Sequence, residues 1–280
     1  MGYKILSKNE LCPNQYEFKI EAPYVVRNAT AGQFIIFRAE ENGERVPLTI
    51  ADVDKEKGVL TIVFMAVGYS TKKLAALNVG DDIVDLVGPL GKPTSVKKYG
   101  TVVCVAGGYG AAPCYLIAKA LKDAGNKVYM IMGARSKDLI FWDEKMKDVC
   151  TELFITTNDG SLGEQGFVTN VLSRIINDEK IDYVIAVGPL PMMRAVAEIT
   201  RDKDIYTEAS MNPIMVDGTG MCGACRVTVG GEIKFACVDG PDFNAHLIDF
   251  DEVINRSKIY NVDERSRDEN CNLIKMANNI

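Results

Sequence analysis

Three cysteines and one aspartate near residue 220 impose the strongest constraint on the fold of this 280-residue chain. Four residues separate Asp217 from Cys222, two separate Cys222 from Cys225, and Cys237 follows after a longer interval. Plant-type [2Fe–2S] clusters are held by C-x4-C-x2-C and a distant fourth cysteine. Because the same spacing occurs here with Asp217 in place of the first cysteine, it predicts a [2Fe–2S] site with three thiolate ligands and one carboxylate.

The residues between these ligands suit a loop that wraps closely around a small inorganic body. Gly218, Gly220 and Gly223 can adopt positive φ angles without the clash of a Cβ atom. Ala224 is small, so backbone N–H groups can approach the cluster sulfurs, which influences the reduction potential.

A structural zinc site and a set of unligated buried cysteines are the two alternatives. Zinc sites usually combine two paired arms of Cys or His ligands, whereas this chain offers one C-x2-C arm and a separate cysteine. Free cysteines also occur in protein cores as small hydrophobic side chains. A Rieske centre is excluded because it requires two histidines, and His246 is the only histidine of the chain.

Composition and charge narrow the possible functions. A chain of 280 residues, 47% of them hydrophobic, has room for two or three domains with their own cores. The formal net charge of −6 provides no basic surface for phosphate backbones, so we expect no nucleic-acid partner. The single histidine argues against most acid–base and triad chemistry, and we expect no catalytic acid or base.

The remaining cysteines and the N-terminus indicate the compartment. Eight cysteines, of which three are clustered, do not form a disulfide framework in a chain of this size. The N-terminus lacks the apolar segment of a signal peptide. The longest uncharged run, 101–118, is interrupted by glycines and a proline and does not predict a membrane span. We therefore expect a reduced, cytoplasmic protein without a membrane partner.

The first third of the chain alternates between short apolar strands and turns. Several strands at this spacing predict a small antiparallel barrel or sandwich. The predicted strands are 16–21, 33–39, 46–53, 59–67 and 82–87.

Two segments of this region carry candidate binding groups. Arg45 and Thr49 lie near the start of the predicted strand 46–53. Gly68, Ser70 and Thr71 open a predicted helix over 70–77. A hydroxyl at a helix N-terminus either caps the helix or binds a phosphate, because free N–H groups and the helix dipole favour an anion there.

From about residue 98 strands alternate with helices. The predicted strands are 101–106, 127–132, 152–156 and 183–187, and the first is followed by a helix over 111–121. This alternation predicts a parallel, doubly wound sheet.

Small or hydrogen-bonding residues follow each of these strands, where such sheets bind ligands. Four such strand ends favour a nucleotide crevice. Because the glycines do not match G-x-G-x-x-G in frame, they can also serve only tight turns. The second strand ends at Gly133 and Arg135 without an acidic residue for a ribose, which leaves NAD and NADP both possible.

The order of barrel, nucleotide sheet and C-terminal cluster resembles the ferredoxin–NADP reductase superfamily over nearly the whole chain. Within it, the chain is similar to the small subunits of NADH-dependent ferredoxin:NADP oxidoreductases, which are also classified with the sulfide dehydrogenases. The electron-transfer subunits of dihydroorotate dehydrogenase are close relatives, but they carry four cysteines at the cluster. The departure at Asp217 matches the ferredoxin:NADP group.

The resemblance implies a fold class, domains and cofactors. We expect β plus α/β architecture: an antiparallel FAD-binding β-barrel over 1–97, a doubly wound parallel NAD-binding sheet over 98–205, and a small C-terminal [2Fe–2S] region with a tail over 206–280. Independently of the resemblance, the alternating charges of the tail from 249 onward predict a helix that packs on the other domains or on a partner. The expected cofactors are FAD, a [2Fe–2S] cluster and NAD.

The resemblance also assigns binding residues to each cofactor. For FAD these are Arg45, Pro47, Leu48, Thr49, Val67, Gly68, Ser70 and Thr71, so that phosphate binding is preferred over capping. For the nicotinamide nucleotide they are Gly107, Gly108, Gly110, Ala111, Pro113, Gly133, Arg135, Asp159, Gly188, Pro189, Met192 and Met193. For the cluster they are Asp217, Cys222, Cys225 and Cys237.

The function implied is an electron relay within a heterodimer. NAD(H) exchanges a hydride with FAD, and FAD exchanges single electrons with the cluster, since flavin handles both kinds of transfer. A larger flavin and iron–sulfur subunit would couple NAD(H), NADP(H) and ferredoxin by electron bifurcation, because one chain with one cluster motif cannot. Alternatives are an electron-transfer subunit for dihydroorotate, sulfide or glutamate-synthase-type chemistry, or a zinc-stabilised nucleotide-binding regulatory subunit.

Overall fold

The computed structural model of the chain describes residues 2–263 and 266. Within these residues the strands form two seven-stranded sheets and a two-stranded hairpin. The core of the first sheet is continuous with that of the second, because strand β4 of the first (Val46–Asp54) packs on helix α3 of the second (Ala111–Asp123).

The first sheet is antiparallel throughout and nearly closes into a barrel. Its edge strands β6 and β7 are separated in sequence by Val84 alone, so the two edges of the sheet lie side by side. In chain order its strands are β1 Tyr3–Cys12, β2 Gln15–Glu21, β3 Phe34–Arg38, β4 Val46–Asp54, β5 Val59–Met65, β6 Asp82–Ile83 and β7 Asp85–Leu90, with helices α1 Pro23–Asn28 and α2 Tyr69–Ala76.

The five predicted barrel strands are present, with two differences. Strand β1 was not predicted, because most of its side chains are charged or polar and only Ile5 and Cys12 are buried. The predicted strand 82–87 is divided at Val84, since β6 pairs with β1 whereas β7 pairs with β3. The expected barrel is confirmed.

The second sheet has the order β11-β10-β9-β8-β12-β13-β16 and is parallel except for β16. The chain runs outward from β8 and then returns to its other side, so the strand order reverses between β8 and β12. Ligands bind at such reversal points. The strands are β8 Thr101–Gly107, β9 Lys127–Ala134, β10 Glu152–Thr157, β11 Glu164–Gln165, β12 Tyr183–Val187, β13 Thr207–Ser210 and β16 Asp242–Asn244; the helices are α3, α4 Asp143–Val149, α5 Val168–Asp178 and α6 Leu190–Arg201.

The C-terminal region is joined to the edge of this sheet. Strand β16 pairs with β13, and the hairpin of β14 (Arg226–Val229) and β15 (Glu232–Phe235) turns at Gly230 and Gly231. Strands β13 and β16 both lie beyond residue 205, so the sheet continues past the predicted domain boundary, which itself stays a prediction.

Helix α7, Phe250–Arg256, begins the tail and packs on α6 and β14 with Phe250 and Val253 buried. The expected tail helix over the remaining residues lies partly outside the described residues 2–263 and 266. In the described part of the chain, every helix is too short or too polar to cross a membrane.

Candidate functional site

A cavity of about 240 Å³ lies between the barrel and the reversal point of the parallel sheet. Strand β4 forms one wall, and the turns after β8 and β12 form another. The predicted residues that line it are Pro47, Thr49, Gly110, Pro113 and Gly188; the others are Phe34, Val46, Tyr109, Val187, Ser210, Met211, Asn212, Pro213, Met215 and Pro241.

The third wall, residues 210–215, was missed in the sequence. It follows β13, whose sequence Thr-Glu-Ala-Ser is too short and polar to predict a strand. Recognition of β13 as a fifth parallel strand would have identified the segment, because ligands lie beyond such strand ends. Tyr109 was also missed; it is 39% exposed, and its hydroxyl accepts a hydrogen bond from Asn212 Nδ2 at 3.2 Å.

The turn after β8 approaches the end of β12 closely. A Cβ atom at Gly110 would lie 2.3 Å from the carbonyl oxygen of Val187, so only glycine fits. Gly107 and Gly188 lie at the same contact, and Met192 Sδ packs against Gly107. The glycines therefore allow the two strand ends to approach each other closely at the cavity.

The other predicted nucleotide residues lie around this edge, outside the cavity lining. Gly108 belongs to the turn after β8, and Ala111 is buried in the first turn of α3. Pro189 and Met193 lie at the start of α6, with Met193 fully buried in the core. Gly133 lies near the end of β9 and pairs with Gly107 of β8.

Arg135 and Asp159 follow β9 and β10. Arg135 is exposed, and its carbonyl accepts from the Asp159 N–H at 3.3 Å. The Asp159 carboxylate accepts from the Ser161 N–H and hydroxyl, which lowers the pKa of this carboxyl below its ordinary value. The two strand ends are thus joined at the surface.

Helix α2 begins next to an anionic side chain. The hydroxyl of Ser70 donates to the Glu44 carboxylate, while Thr71 Oγ1 accepts from the Gly68 N–H at 3.1 Å. Val67, just before the helix, is 67% exposed. The Glu44 carboxylate therefore lies beside the first turn of α2, where the helix dipole favours an anion.

The predicted cluster ligands surround the loop before β14. Cys225 and Cys237 are buried, and their Sγ atoms lie 3.2 Å apart. Cys222 is exposed. The Asp217 carboxylate turns into the loop and accepts from the Thr219 N–H, the Thr219 hydroxyl and the Met221 N–H at 2.9, 2.5 and 3.3 Å.

Backbone N–H groups of this loop point at the sulfurs. Those of Ala224 and Asp217 donate to Cys222 and hold the pKa of its thiol below the ordinary value. Burial and the neighbouring Cys225 raise the pKa of Cys237 to about 12, against a smaller opposing effect of the Gly220 N–H. Sulfurs that accept N–H groups fit an iron–sulfur cluster, where such bonds set the potential.

Two of the four predicted ligands, Cys225 and Cys237, lie together. Among residues 2–263 and 266, no three His, Cys, Asp or Glu side chains are close enough to hold one metal ion. Each iron of a [2Fe–2S] cluster takes two protein ligands. Cys225 and Cys237 can therefore serve as the two protein ligands of one iron.

The ligand loop is seated on the barrel. Gly218 has φ +83°, and a Cβ atom there would lie 2.5 Å from Ile36 Cδ1 and 3.0 Å from Leu90 Cδ1. Arg45 reaches the same loop, with Nε donating to the Val216 carbonyl at 3.0 Å and Nη2 to the Asp217 carbonyl at 3.3 Å. Leu48, the remaining predicted flavin residue, is half-buried on β4 and pairs with Ile35 of β3.

Two family models match the chain where the fold and the site suggest. Residues 104–198 match the oxidoreductase NAD-binding domain. Residues 212–249, which include the ligand loop, match the iron–sulfur cluster binding domain of dihydroorotate dehydrogenase B.

Whole-chain relatives decide the family. The chain is 44% identical over 262 residues to a homologue of the dihydroorotate dehydrogenase B electron-transfer subunit from Thermotoga maritima, and the match covers 94% of this chain and 93% of the relative. It is 35% identical to the electron-transfer subunit of Bacillus pumilus, over 87% of this chain and 96% of that one. The chain belongs to the family of dihydroorotate dehydrogenase B electron-transfer subunits and their homologues.

Solved structures agree with the family. A chain of the NADH-dependent reduced ferredoxin-NADP oxidoreductase, a structure determined to understand flavin-based electron bifurcation, matches with a TM-score of 0.92 and 44% identity, covering 96% of this chain and 98% of that chain. Phthalate dioxygenase reductase, with a TM-score of 0.59 and 16% identity over 82% of this chain and 86% of its own, shares the fold.

These findings confirm the suspected resemblance and the fold class. The chain is a subunit of a redox enzyme, with an NAD-binding domain and an iron–sulfur cluster binding domain. The expectation of FAD, a [2Fe–2S] cluster and NAD as cofactors is confirmed at the level of the family. The individual binding residues stay predictions.

Proposed function

We propose that the chain transfers electrons between NAD(H), FAD and a [2Fe–2S] cluster as the smaller subunit of a heterodimer. One observation carries the proposal: residues 210–213 and 215 line the cavity, and their segment continues directly into the ligand loop at Asp217. The flavin and nicotinamide elements are therefore adjacent to the cluster elements. FAD supplies the exchange between hydride and single-electron chemistry.

The flavin ring is proposed to lie against β4, with Pro47 and Thr49 at the cavity wall. Its pyrophosphate is proposed to lie at the start of α2, near Ser70 and Thr71, where the Ser70 hydroxyl donates to an anionic group, the Glu44 carboxylate. The phosphate would displace that carboxylate from the Ser70 hydroxyl. The polar atoms of the chain bind the flavin and orient it, and no side chain is required to move a proton.

The nicotinamide is proposed to enter from the reversal point of the sheet. Gly110, Pro113 and Gly188 line this side of the cavity. The close packing of Gly110 on Val187 fixes the two strand ends, so the cavity wall is rigid there. Gly133, Arg135 and Asp159 mark the path of the rest of the nucleotide along the sheet edge.

The cluster is proposed to take its four ligands in two pairs. Cys225 and Cys237 would bind one iron, because their sulfurs already lie together. Asp217 and Cys222 would bind the other, because they stand at the two ends of one short loop and the Asp217 backbone is close enough to lower the pKa of the Cys222 thiol. The Asp217 carboxylate would exchange its bonds to Thr219 and Met221 for the iron.

The partner is proposed to be a larger flavin and iron–sulfur subunit that couples NAD(H), NADP(H) and ferredoxin by bifurcation. The match to the NADH-dependent reduced ferredoxin-NADP oxidoreductase over nearly the whole of both chains supports this. The exposed loop supports it as well, since Met221 is 87% exposed beside Cys222. The seven described cysteines form no disulfide, which suits a cytoplasmic complex.

The relatives named as dihydroorotate dehydrogenase B electron-transfer subunits favour a second candidate, electron transfer from dihydroorotate to NAD. Anaerobic purification of the native complex through a tag on this chain separates the two. Ferredoxin reduction that requires one of the two nicotinamide nucleotides in its reduced form, as the donor, and the other in its oxidised form, as the second acceptor, would support the first. NAD reduction by dihydroorotate without any ferredoxin reaction would replace it with the second.

A further inference from the structure

Arg45 connects the barrel to the cluster loop. It lies directly before β4, yet its hydrogen-bond partners Val216 and Asp217 are 171 and 172 residues away in the sequence. Its third contact is with the Asp85 carboxylate of β7, at 3.5 Å from Nη1. The guanidinium thus contacts two carbonyl oxygens and one carboxylate, with each of its three nitrogens directed at a different oxygen.

Only arginine offers this set of donors in one rigid plane. A lysine would supply the charge as a single point and could not address both carbonyl groups with the same geometry. Asp85 of the barrel fixes the plane of the Arg45 guanidinium. The guanidinium in turn fixes the two carbonyl groups relative to the barrel.

The Val216 carbonyl and the Asp217 N–H belong to the same peptide group. The carbonyl accepts from Arg45 Nε at 3.0 Å, and the N–H is one of the backbone groups that lower the pKa of the Cys222 thiol. A hydrogen bond from a cation to the carbonyl polarises the peptide and makes its N–H a stronger hydrogen-bond donor. Arg45 therefore acts on Cys222 through one peptide unit.

The charge of Arg45 also acts on the cluster directly. A reduced cluster carries one more negative charge than an oxidised cluster, and net charge and hydrogen bonds to the sulfurs set its potential. A nearby cation stabilises the reduced form, although the 31% exposure of the Arg45 side chain weakens the effect by solvent screening.

We propose that Arg45 is a positioning residue for the cluster, which holds the Val216–Asp217 peptide on the barrel and makes the reduction potential of the cluster less negative. The inference rests on the proposed function, because it requires the cluster at Asp217 and Cys222. It adds a role to Arg45, which the family resemblance associates with the flavin.

The test compares Arg45→Met and Arg45→Lys with the control Arg38→Met in the full chain. Arg38 shares the Asp85 carboxylate with Arg45, at 3.8 Å, but it donates its hydrogen bond to the Glu41 carbonyl and not to the cluster loop. Iron content, thermal unfolding and the cluster potential from an anaerobic titration followed by electron paramagnetic resonance are measured on each.

We expect a more negative potential for Arg45→Met, an intermediate value for Arg45→Lys, and an unchanged value for Arg38→Met. Loss of iron from Arg45→Met alone, with a more negative potential in Arg45→Lys, also supports the role. Full iron content with an unchanged potential in both Arg45 variants overturns it. Wild-type protein without iron refutes the proposed function instead, so the two failures are distinct.

Discussion

The Sγ atoms of Cys225 and Cys237 lie 3.2 Å apart because the β14–β15 hairpin joins the segments that carry them. Cys225 immediately precedes β14, and Cys237 follows shortly after β15. The Ala236 N–H donates to the Cys225 carbonyl and continues the pairing beyond the hairpin strands. The distance between the third and fourth ligands in the sequence is thus set by the length of a hairpin.

Replacement of either cysteine by serine is expected to remove the cluster. Cys225→Ser and Cys237→Ser each deprive one iron of a thiolate, and wild-type protein should contain about two iron atoms per chain. Cys12→Ser is the control, since Cys12 is also buried and its thiol already faces the Ile140 carbonyl at 3.7 Å, to which a hydroxyl can donate. Iron analysis after anaerobic purification checks this; full iron in both hairpin variants would contradict the ligand assignment.

Asp217→Cys is expected to retain the cluster and to change its reduction potential. A thiolate replaces a carboxylate on one iron, and the identity of the ligand is one of the quantities that set the potential. The Thr219 and Met221 donors remain available to the loop. Redox titration of the variant against wild type measures the difference, and coincident midpoints would refute the role of Asp217 as a ligand.

Gly218→Ala is expected to destabilise the protein more than Gly231→Ala. Both glycines have nearly the same positive φ, +83° and +82°, so the backbone strain of about 1 kcal/mol is common to the two variants. A Cβ at Gly231 meets open space, whereas at Gly218 it meets Ile36 and Leu90. We expect an additional loss of roughly 1–3 kcal/mol in chemical unfolding of Gly218→Ala. Equal losses would mean that the loop does not rest on the barrel.

A buried carboxyl at the junction of the three regions is expected to make stability depend on pH. Asp242 of β16 accepts from Thr94 Oγ1 at 2.5 Å, and its second oxygen has no hydrogen-bond partner among residues 2–263 and 266. Burial raises the pKa of Asp242 to about 6 from an ordinary value of 3.8, and the Glu208 carboxylate adds to the shift.

The direction in which stability changes with pH follows from proton binding. Between pH 3.8 and about pH 6 the folded state keeps the proton of Asp242 while the unfolded state has lost it, so stability falls as pH rises through this range. The total loss of stability is on the order of 2–3 kcal/mol, and it no longer changes once the pH exceeds the pKa of Asp242 in the folded state.

Asp242→Asn removes this titration. The free energy of unfolding of the variant relative to wild type is expected to increase from pH 4 to pH 7, by the same order of roughly 2–3 kcal/mol. Urea unfolding at several pH values provides the measurement. A difference between the two proteins that does not vary with pH would show that Asp242 does not titrate in this range.

Hydrophobic periodicity predicted the strands that are buried on at least one face, and the fold class followed from them. Periodicity did not predict the strands that form by backbone pairing with a neighbour and have no apolar pattern of their own. Strand β1 is largely polar, and β13 has only four residues, one of which is Glu208. One wall of the cavity was therefore not predicted, because the segment after β13 supplies it.

The positions of individual residues were predictable only where spacing encodes geometry. The predicted cluster ligands are of this kind, since the loop and the hairpin fix their positions locally. Arg45 is not, because its contacts with Val216 and Asp217 depend on how the barrel meets the last quarter of the chain. Ser70 likewise faces Glu44, a contact between two segments that no local pattern encodes.

The most direct measurement is an ultraviolet–visible spectrum of the anaerobically purified chain before and after addition of NADH, with iron and zinc assayed on the same sample. We expect a yellow-brown protein that contains iron and flavin, and we expect NADH to bleach the flavin absorption and then reduce the cluster. A colourless protein that contains zinc and does not respond to NADH would contradict the electron relay and leave a nucleotide-binding subunit in its place.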